Sequence, residues 1–358
     1  MYNNDELAII CLDSIIELEY KHKTKILSLV KSPSELLNLK GEVISKIYDI
    51  LGNAKGKSLC LCFEKEYSNQ VIFELEKRNI VAVTYLSKNY PKSLNEIDFK
   101  PLIIYAKGNL ELLNKNKFAI VGSRKTLTYA LKFCEDLSKN LSENGIVIVS
   151  GSAEGGDRSA LIGSVESGNV ISILAHGHDL VSPESNRQLI EKIAKKGLVI
   201  SEYPPKVPPR AWTYPIRNRL IAGLSEGVLI ISGEMKSGAK YTGDFAIEFN
   251  KNLFALPYSI GIKSGELCNY YIKNGAYLCD NVKDVLDTFN LTYEQKPKIE
   301  LFGNEKLVYE AILNGCDNAN SLMIECNLKI FQLTSIISSL ELKGLVVKLL
   351  GNKLKAVK

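Results

Sequence analysis

Seven short apolar runs between residues 117 and 280 constrain the fold of this chain more than any other feature. They are KFAIVGS (117–123), GIVIVSG (145–151), NVISILA (169–175), GLVISE (197–202), GVLIIS (227–232), NLFALP (252–257) and GAYLCD (275–280), with helix-like segments between them. Each run is apolar almost without a break, so both of its faces must be covered, whereas a strand with one wet face alternates. Doubly buried strands separated by helices predict a parallel sheet with helices on both sides, a doubly wound α/β domain over residues 117–290. In such a sheet ligands bind beyond the carboxyl ends of the strands, where the strand order reverses.

At 358 residues the chain is too long for one ordinary core. Residues 1–56 read as a helical domain, with apolar residues at helical spacing in DELAIICLDSIIELE and Ser32 as an N-cap before Pro33. Residues 57–116 read as an extension of the α/β domain, with SLCLCF (58–63) and IVAVTYL (80–86) as β-like runs. GNAKGKS (52–58) has three residues between its glycines where a P-loop needs four, and it reads as a flexible turn. Residues 291–303 are polar and linker-like, and 304–358 read as three helices and two short strands, the order of a winged helix.

The eight cysteines form no C-x-x-C, and no signal-like or membrane-length apolar run is present, so reduced thiols in a cytoplasmic protein away from the membrane are expected. The net charge of +5 is mild, so any anion-binding site must be local. The densest candidate is SEYPPKVPPRAWTYPIRNRLIAG (201–223), which holds five of eleven prolines and the only Trp. It carries Lys206, Arg210, Arg217 and Arg219 with no acid between Glu202 and Glu226. Prolines fix its shape, arginines pair with phosphate, and Trp212 and Tyr214 offer faces on which bases stack. Pro215 is placed at a helix start, putting Arg217, Asn218 and Arg219 in the first turn, where cations oppose the helix dipole and an anion would relieve them. The alternative is a cationic loop pairing with nearby carboxylates.

Two earlier strand exits have the same character. VGSRKTLTYALKF (121–133) turns from strand to helix at Ser123 and Arg124, and VSGSAEGGDRSA (149–160) does so with Gly151, Gly155, Gly156 and Asp157. Neither is G-x-G-x-x-G, so no dinucleotide and no other cofactor is expected. AHGHDLVSPESN (175–186) groups His176, His178 and Asp179 without a third metal-ligand spacing, and reads as a polar loop. No nucleophile–base pair or G-x-S-x-G elbow is visible, so no catalytic residue is assigned.

These stretches, together with NYPKSL, PLIIYAKGNLELL, YPIRNRLIAGLSEGVLIISGEMKSGAKYTGDFAIEFNKNLFALP and SGELCNYYIKNGAYL, resemble the bacterial DNA-processing family DprA, also called Smf, over nearly the whole chain. The resemblance implies a SAM-like helical domain, a Rossmann-like single-stranded DNA-binding domain that dimerises, and a C-terminal winged helix. It implies a non-enzymatic role in natural transformation or recombination, protecting incoming single strands and loading RecA on them. The family's pocket carries over to Ser123, Arg124, Gly151, Arg210, Tyr214, Arg217, Asn218 and Arg219, joined by Trp212, with Gly155, Asp157, Asp179, Ser237, Gly238 and Thr242 at its edge. The chain departs from the family pattern at Gly156, Leu161, Ala175, Ser182, SGAKYTG (237–243) and Tyr258, all near the expected carboxyl edge.

Two other function classes stay open. A nucleotide-cleaving enzyme of Rossmann-like fold would use Glu154, Asp157 or Asp179 as its carboxylate. A regulatory or adaptor paralogue would act through the winged helix, but no arginine follows Arg219, which suits protein contacts better than a major groove.

Overall fold

The structure, a computed structural model, describes residues 2–290, 301–349 and 353–356. The chain divides into two compact units, Met1–Tyr293 and Glu294–Lys358. The first begins with α1 (Asn4–Ser14), α2 (Tyr20–Leu27), α3 (Gly41–Cys62) and α4 (Lys65–Lys77). One sheet follows, made of β1 (Val81–Thr84), β2 (Ile103–Gly108), β3 (Lys117–Gly122), β4 (Val147–Ser150), β5 (Val170–Leu174), β6 (Leu198–Ser201), β7 (Gly227–Ser232), β8 (Asn252–Ala255) and β9 (Tyr277–Leu278). Interleaved with the last seven are α5 (Thr128–Glu143), α6 (Gly156–Ser164), α7 (Arg187–Lys196), α8 (Thr213–Leu224), α9 (Ala239–Glu248), α10 (Glu266–Lys273) and α11 (Val282–Leu286).

The spatial order is β1-β2-β6-β5-β4-β3-β7-β8-β9, and β3 to β9 run parallel, as their unbroken apolar character predicts. The chain enters the parallel part at its centre, winds out through β4 and β5 to β6, and returns to place β7 on the other side of β3. The crossovers from β3 to β4 and from β3's far neighbour β7 to β8 therefore diverge, leaving a crevice at the carboxyl end of β3. Alternate residues of β3 serve the two faces. Ala119 and Val121 pack with Leu220, Ile221 and Ala246 of α8 and α9, while Phe118 and Ile120 pack with Leu137, Leu141 and Val285 of α5 and α11. Beyond β6 the sheet continues with antiparallel partners, β2 and then β1.

Residues 58–63 are a correction to the expected pattern: they end the helix α3 and form no strand. Leu59, Cys62 and Phe63 are buried together against Ala8, Leu12 and Ile47, a helical spacing that the short apolar run had masked. GNAKGKS is likewise inside α3, with a kink at Gly52 (φ 74°, ψ 171°) in place of an open turn. The expected boundary after residue 56 thus falls within a helix. Helix α1 is covered on both sides, with Cys11 and Leu12 in the helical cluster and Ile9 and Ile10 against Ala82, Ile103 and Tyr105 of β1 and β2. Asp13 fastens the two layers, accepting from Lys23 Nζ (2.7 Å) and from the Tyr105 hydroxyl (2.8 Å).

The second unit is three helices, α12 (Gly303–Leu313), α13 (Ala319–Glu325) and α14 (Ile330–Leu342), followed by an antiparallel pair, β10 (Val346–Leu349) and β11 (Lys353–Ala356), around its own core. Of the expected linker 291–303, residues 291–300 lie outside the described residues.

Gly156, where the resemblance leads one to expect an apolar residue, has no room for a side chain. A Cβ there would lie 2.5 Å from Gly122 Cα and 2.8 Å from its nitrogen, where α6 starts against the end of β3. Gly156→Ile, which restores the apolar residue, is expected to destabilise the fold by about 1–3 kcal/mol through overpacking; a denaturant midpoint no lower than that of the parent chain would refute this account.

Candidate nucleic-acid interface

A cavity of about 390 Å³ opens at the carboxyl end of β3, lined by the exits of β3 (Gly122–Lys125), β4 (Ala153, Asp157) and β7 (Glu234, Lys236–Ala239), and by Tyr214, Arg217 and Asn218 of α8. Three strand exits meet there because β3 lies between β4 and β7.

Its floor is an ionic pair of unusual setting. Arg217 is only 3% exposed and Asp157 5%, yet no salt bridge closes between them. They share the space beside Gly151, where a Cβ would lie 2.2 Å from Asp157 Oδ2 and 2.7 Å from both Arg217 Nη atoms. Glycine is therefore needed at 151 for the two side chains to approach. The Arg217 guanidinium donates to the carbonyl of Ile173 and, through Nε, to Asn218 Oδ1 (3.0 Å), and Asn218 Nδ2 donates to the Gly238 carbonyl (3.1 Å). Asp157 accepts the Gly122 N–H (3.2 Å). Burial pushes the Asp157 carboxyl above its usual range, with the Arg217 charge opposing it, and lowers the pKa of Arg217, with Asp157 opposing. Each charge is thus only partly compensated, and an anion entering above Arg217 would offset the guanidinium's charge while disfavouring that of Asp157.

The wall at β3 is built differently. The Ser123 N–H donates to the Ser232 carbonyl (3.1 Å), its Oγ accepts from the Lys125 N–H (3.1 Å), and Thr126 Oγ1 donates to its carbonyl (2.6 Å). Gly155, at φ 80°, lets the next loop press on this turn, since a Cβ would lie 2.3 Å from the Ser123 carbonyl oxygen and 2.8 Å from Arg124 Cα. Arg124 and Lys125 are exposed at the rim, and neither forms an ion pair among the described residues. Ser237, Gly238 and Thr242 line the opposite side, and Ser237 Oγ is buried without a partner.

The structure brings Ser123, Arg124, Asp157, Tyr214, Arg217, Asn218, Ser237, Gly238 and Thr242 to this cavity and leaves others away from it. Arg219, one residue past Asn218, points the other way and pairs with Glu202 Oε1 at 2.5 Å, with side-chain exposures of 8% and 16%. For Arg219 the local-carboxylate reading holds. Helix α8 also begins at Thr213, two residues before Pro215, so Arg217–Arg219 stand in its second turn, where the end charge of the helix has faded. Asp179 accepts from Arg78 Nε (2.8 Å) and Nη2 (3.0 Å), and is held by α4 away from the pocket. Trp212 is 54% exposed and meets Tyr203 edge-on at 6.4 Å, and Arg210 is exposed on the same loop outside the cavity. Lys125, Lys236 and Glu234 were not anticipated. Their signal was position after a strand, in GSRK and SGEMK.

The histidine loop is tied to the backbone. His178 Nε2 bonds the Tyr105 carbonyl at 2.8 Å and burial pushes its pKa down to about 4, while His176 is fully buried with Nδ1 on the Gly177 carbonyl (2.9 Å). No group of three or more His, Cys, Asp or Glu among the described residues could hold a metal ion, and no described helix is long and apolar enough to cross a membrane.

Comparison with known proteins adds the following. Residues 81–290 match the family described as DNA recombination-mediator protein A. DNA processing protein DprA of Bacillus subtilis is 37% identical over 193 residues, covering 53% of this chain and 65% of that protein, so the match spans just under two thirds of that relative. DNA processing protein DprA of Streptococcus pneumoniae is 37% identical over 217 residues, 60% of this chain and 76% of that protein. The X-ray structure of the Streptococcus pneumoniae protein superposes with a TM-score of 0.66 at 30% identity, covering 81% of this chain and 99% of that one. DNA processing protein A from Helicobacter pylori, whose structure concerns its single-stranded DNA binding mode, superposes at 0.55 with 29% identity over 59% of this chain and 95% of that one.

Arg124 and Arg219 separate by stability. Arg219→Ala strands Glu202 and is expected to cost about 3–5 kcal/mol, whereas Arg124→Ala, at the exposed rim, should move stability by less than about 0.5 kcal/mol. Equal denaturant midpoints for the two variants would contradict the buried pairing.

Proposed function

Because the chain belongs to the DNA recombination-mediator protein A family, with a Rossmann-like sheet, we propose that it binds single-stranded DNA at the carboxyl-edge cavity and serves as a recombination mediator that protects strands and loads RecA. The observation that carries this reading is the buried, incompletely compensated Arg217 beneath a rim with Arg124, Lys125 and Lys236. Phosphate supplies the missing charge, and the planar guanidinium holds it by paired hydrogen bonds. Tyr214 lines the cavity, and Trp212 stands exposed on the adjoining loop, so bases have aromatic faces on which to stack. Flat stacking and phosphate contact carry no base code, so the binding is sequence-tolerant.

The carboxylates required by a nucleotide-cleaving enzyme do not gather in support of that alternative. Glu154 is exposed and accepts from Ser185 Oγ (2.7 Å), Asp179 is held by Arg78, and Asp157 lies beneath Arg217. A cytoplasmic, non-enzymatic homodimer is part of the proposal, as are the SAM-like and winged-helix assignments of the terminal regions. In the C-terminal unit Phe331, 67% exposed beside Ile330 at the start of α14, suits contact with protein better than with a DNA groove.

Binding to labelled single strands should exceed binding to matched duplex. It should weaken steeply with salt, by roughly 0.7 released counterions for each phosphate neutralised. Arg124→Ala should lose about ten- to a hundredfold in affinity, the worth of one charge-assisted contact. Equal affinity for the two DNA forms across the salt series, or an unaltered Arg124→Ala, would reject the site.

The pH dependence follows from Asp157. Burial raises its folded pKa, so the folded state takes up its proton more readily than the unfolded chain, and stability rises as pH falls through the raised pKa. A bound phosphate raises it further, so affinity should also increase as pH falls. Asp157→Asn should flatten that dependence, measured by anisotropy across a pH series; an identical slope in the variant would assign the effect elsewhere.

A further inference from the structure

A second cavity, of about 400 Å³, lies at the opposite end of the sheet. It is bounded by Lys88–Ser93 of the β1–β2 connection and by three segments that enter strands, Leu113–Lys117 before β3, Leu224–Glu226 before β7, and Lys251 before β8. Lys117 opens β3 and Gly122 closes it, so the two cavities stand at opposite ends of a strand roughly 20 Å long.

Its lining is strongly one-signed. Lys88, Lys92, Lys115, Lys117 and Lys251 line it with a single carboxylate, Glu226, and Lys115 Nζ donates to Asn169 Oδ1 (3.3 Å) outside it. None of the five forms an ion pair among the described residues, whereas lysines elsewhere on the surface do, as Lys192 and Lys196 with Glu166 and Lys240 with Asp244. Lys117 is the telling member. It is 7% exposed, and its ammonium spends two of its three N–H groups on the carbonyls of Leu113 and Lys115. Burial lowers its pKa, Glu226 acts against that, and Lys251 adds to it. A buried lysine with carbonyl partners and like-charged neighbours is costly unless an anion compensates it. The volume falls within the range of small-ligand sites and accommodates a phosphate with part of an attached sugar.

We propose that this amino-edge cavity is a second phosphate-binding site, built from Lys88, Lys92, Lys115 and Lys251 around the buried Lys117. Two sources can supply the phosphate: a further stretch of the strand held at the carboxyl edge, or a free phosphate compound. The first rests on the single-strand reading above, and the second does not.

The triple variant Lys88→Ala/Lys92→Ala/Lys251→Ala removes partly or fully exposed charges and leaves Lys117 in place, and its melting temperature in buffer should match that of the parent chain. Single strands of about thirty nucleotides are compared with strands of about six, which occupy only one edge. For the long strand the triple variant should lose on the order of tenfold in affinity, and its salt slope should fall by about 2. For the short strand both should be unchanged, while Arg124→Ala should impair it. Pyrophosphate alone is titrated in a thermal melt. A rise for the parent chain and not for the triple variant, with long-strand binding unaltered, assigns the site to a free phosphate compound. No effect of the triple variant on either the long strand or the pyrophosphate shift overturns the proposal. Failure of short strands to bind the parent chain counts against the single-strand reading alone, because the pyrophosphate melt still reports on this cavity.

Discussion

The site depends on a vacancy beside residue 151. The absence of a side chain there lets a carboxylate from the start of α6 and a guanidinium from α8 approach in the core of the sheet's carboxyl edge, without closing on each other. Closed, the pair would satisfy itself and offer nothing to a ligand. Separated, each helps to tolerate the other's burial and leaves part of the guanidinium's charge uncompensated. The side-chain hydrogen bonds through Asn218 to Gly238 fix the guanidinium from behind, so its position is set before any ligand arrives.

The departures from the family pattern are absorbed locally. Tyr258 stands where the family has glycine, and its ring fills the space beside Gly265, where a Cβ would lie 2.1 Å from the ring. Its hydroxyl donates to the Ile231 carbonyl (2.7 Å), and its ring meets Tyr129 at 5.7 Å. Ser182 shares a hydrogen bond with the Tyr214 hydroxyl (3.0 Å), holding an aromatic of the cavity wall. Neither Tyr258 nor Ser182 lines the cavity itself, and Arg124 and Arg217 both stand in its lining.

The doubly wound sheet was legible because a strand buried on both faces has no freedom to alternate, and all seven predicted runs contain an observed strand. Strand exits were legible for the same reason, and with them Ser123, Arg124 and Asp157. What failed was direction within a helix. Arg217 and Arg219 are two residues apart on α8 and so point to different sides, a division that the cationic composition of the loop conceals. Residues 58–63 failed on length, since a short apolar run suits a strand and a helix end equally. The basic amino-edge cavity was invisible in sequence because its lysines come from three separate segments and meet only through topology.

The pairing of β2 with β6 bears on how the molecule is made. Tyr105 lies opposite Ser201, so the β1–β2 hairpin and the helices packed on it have no neighbouring strand until β6 has been synthesised. The central strand waits longer still, since β3 gains its second partner only when β7 appears. Contacts of such sequence separation are slow to form, and unpaired strand edges are prone to mispairing while they wait. During synthesis the apolar edges of β2 and β3 thus both need shelter, that of β2 until residue 201 and that of β3 until residue 232 have been made.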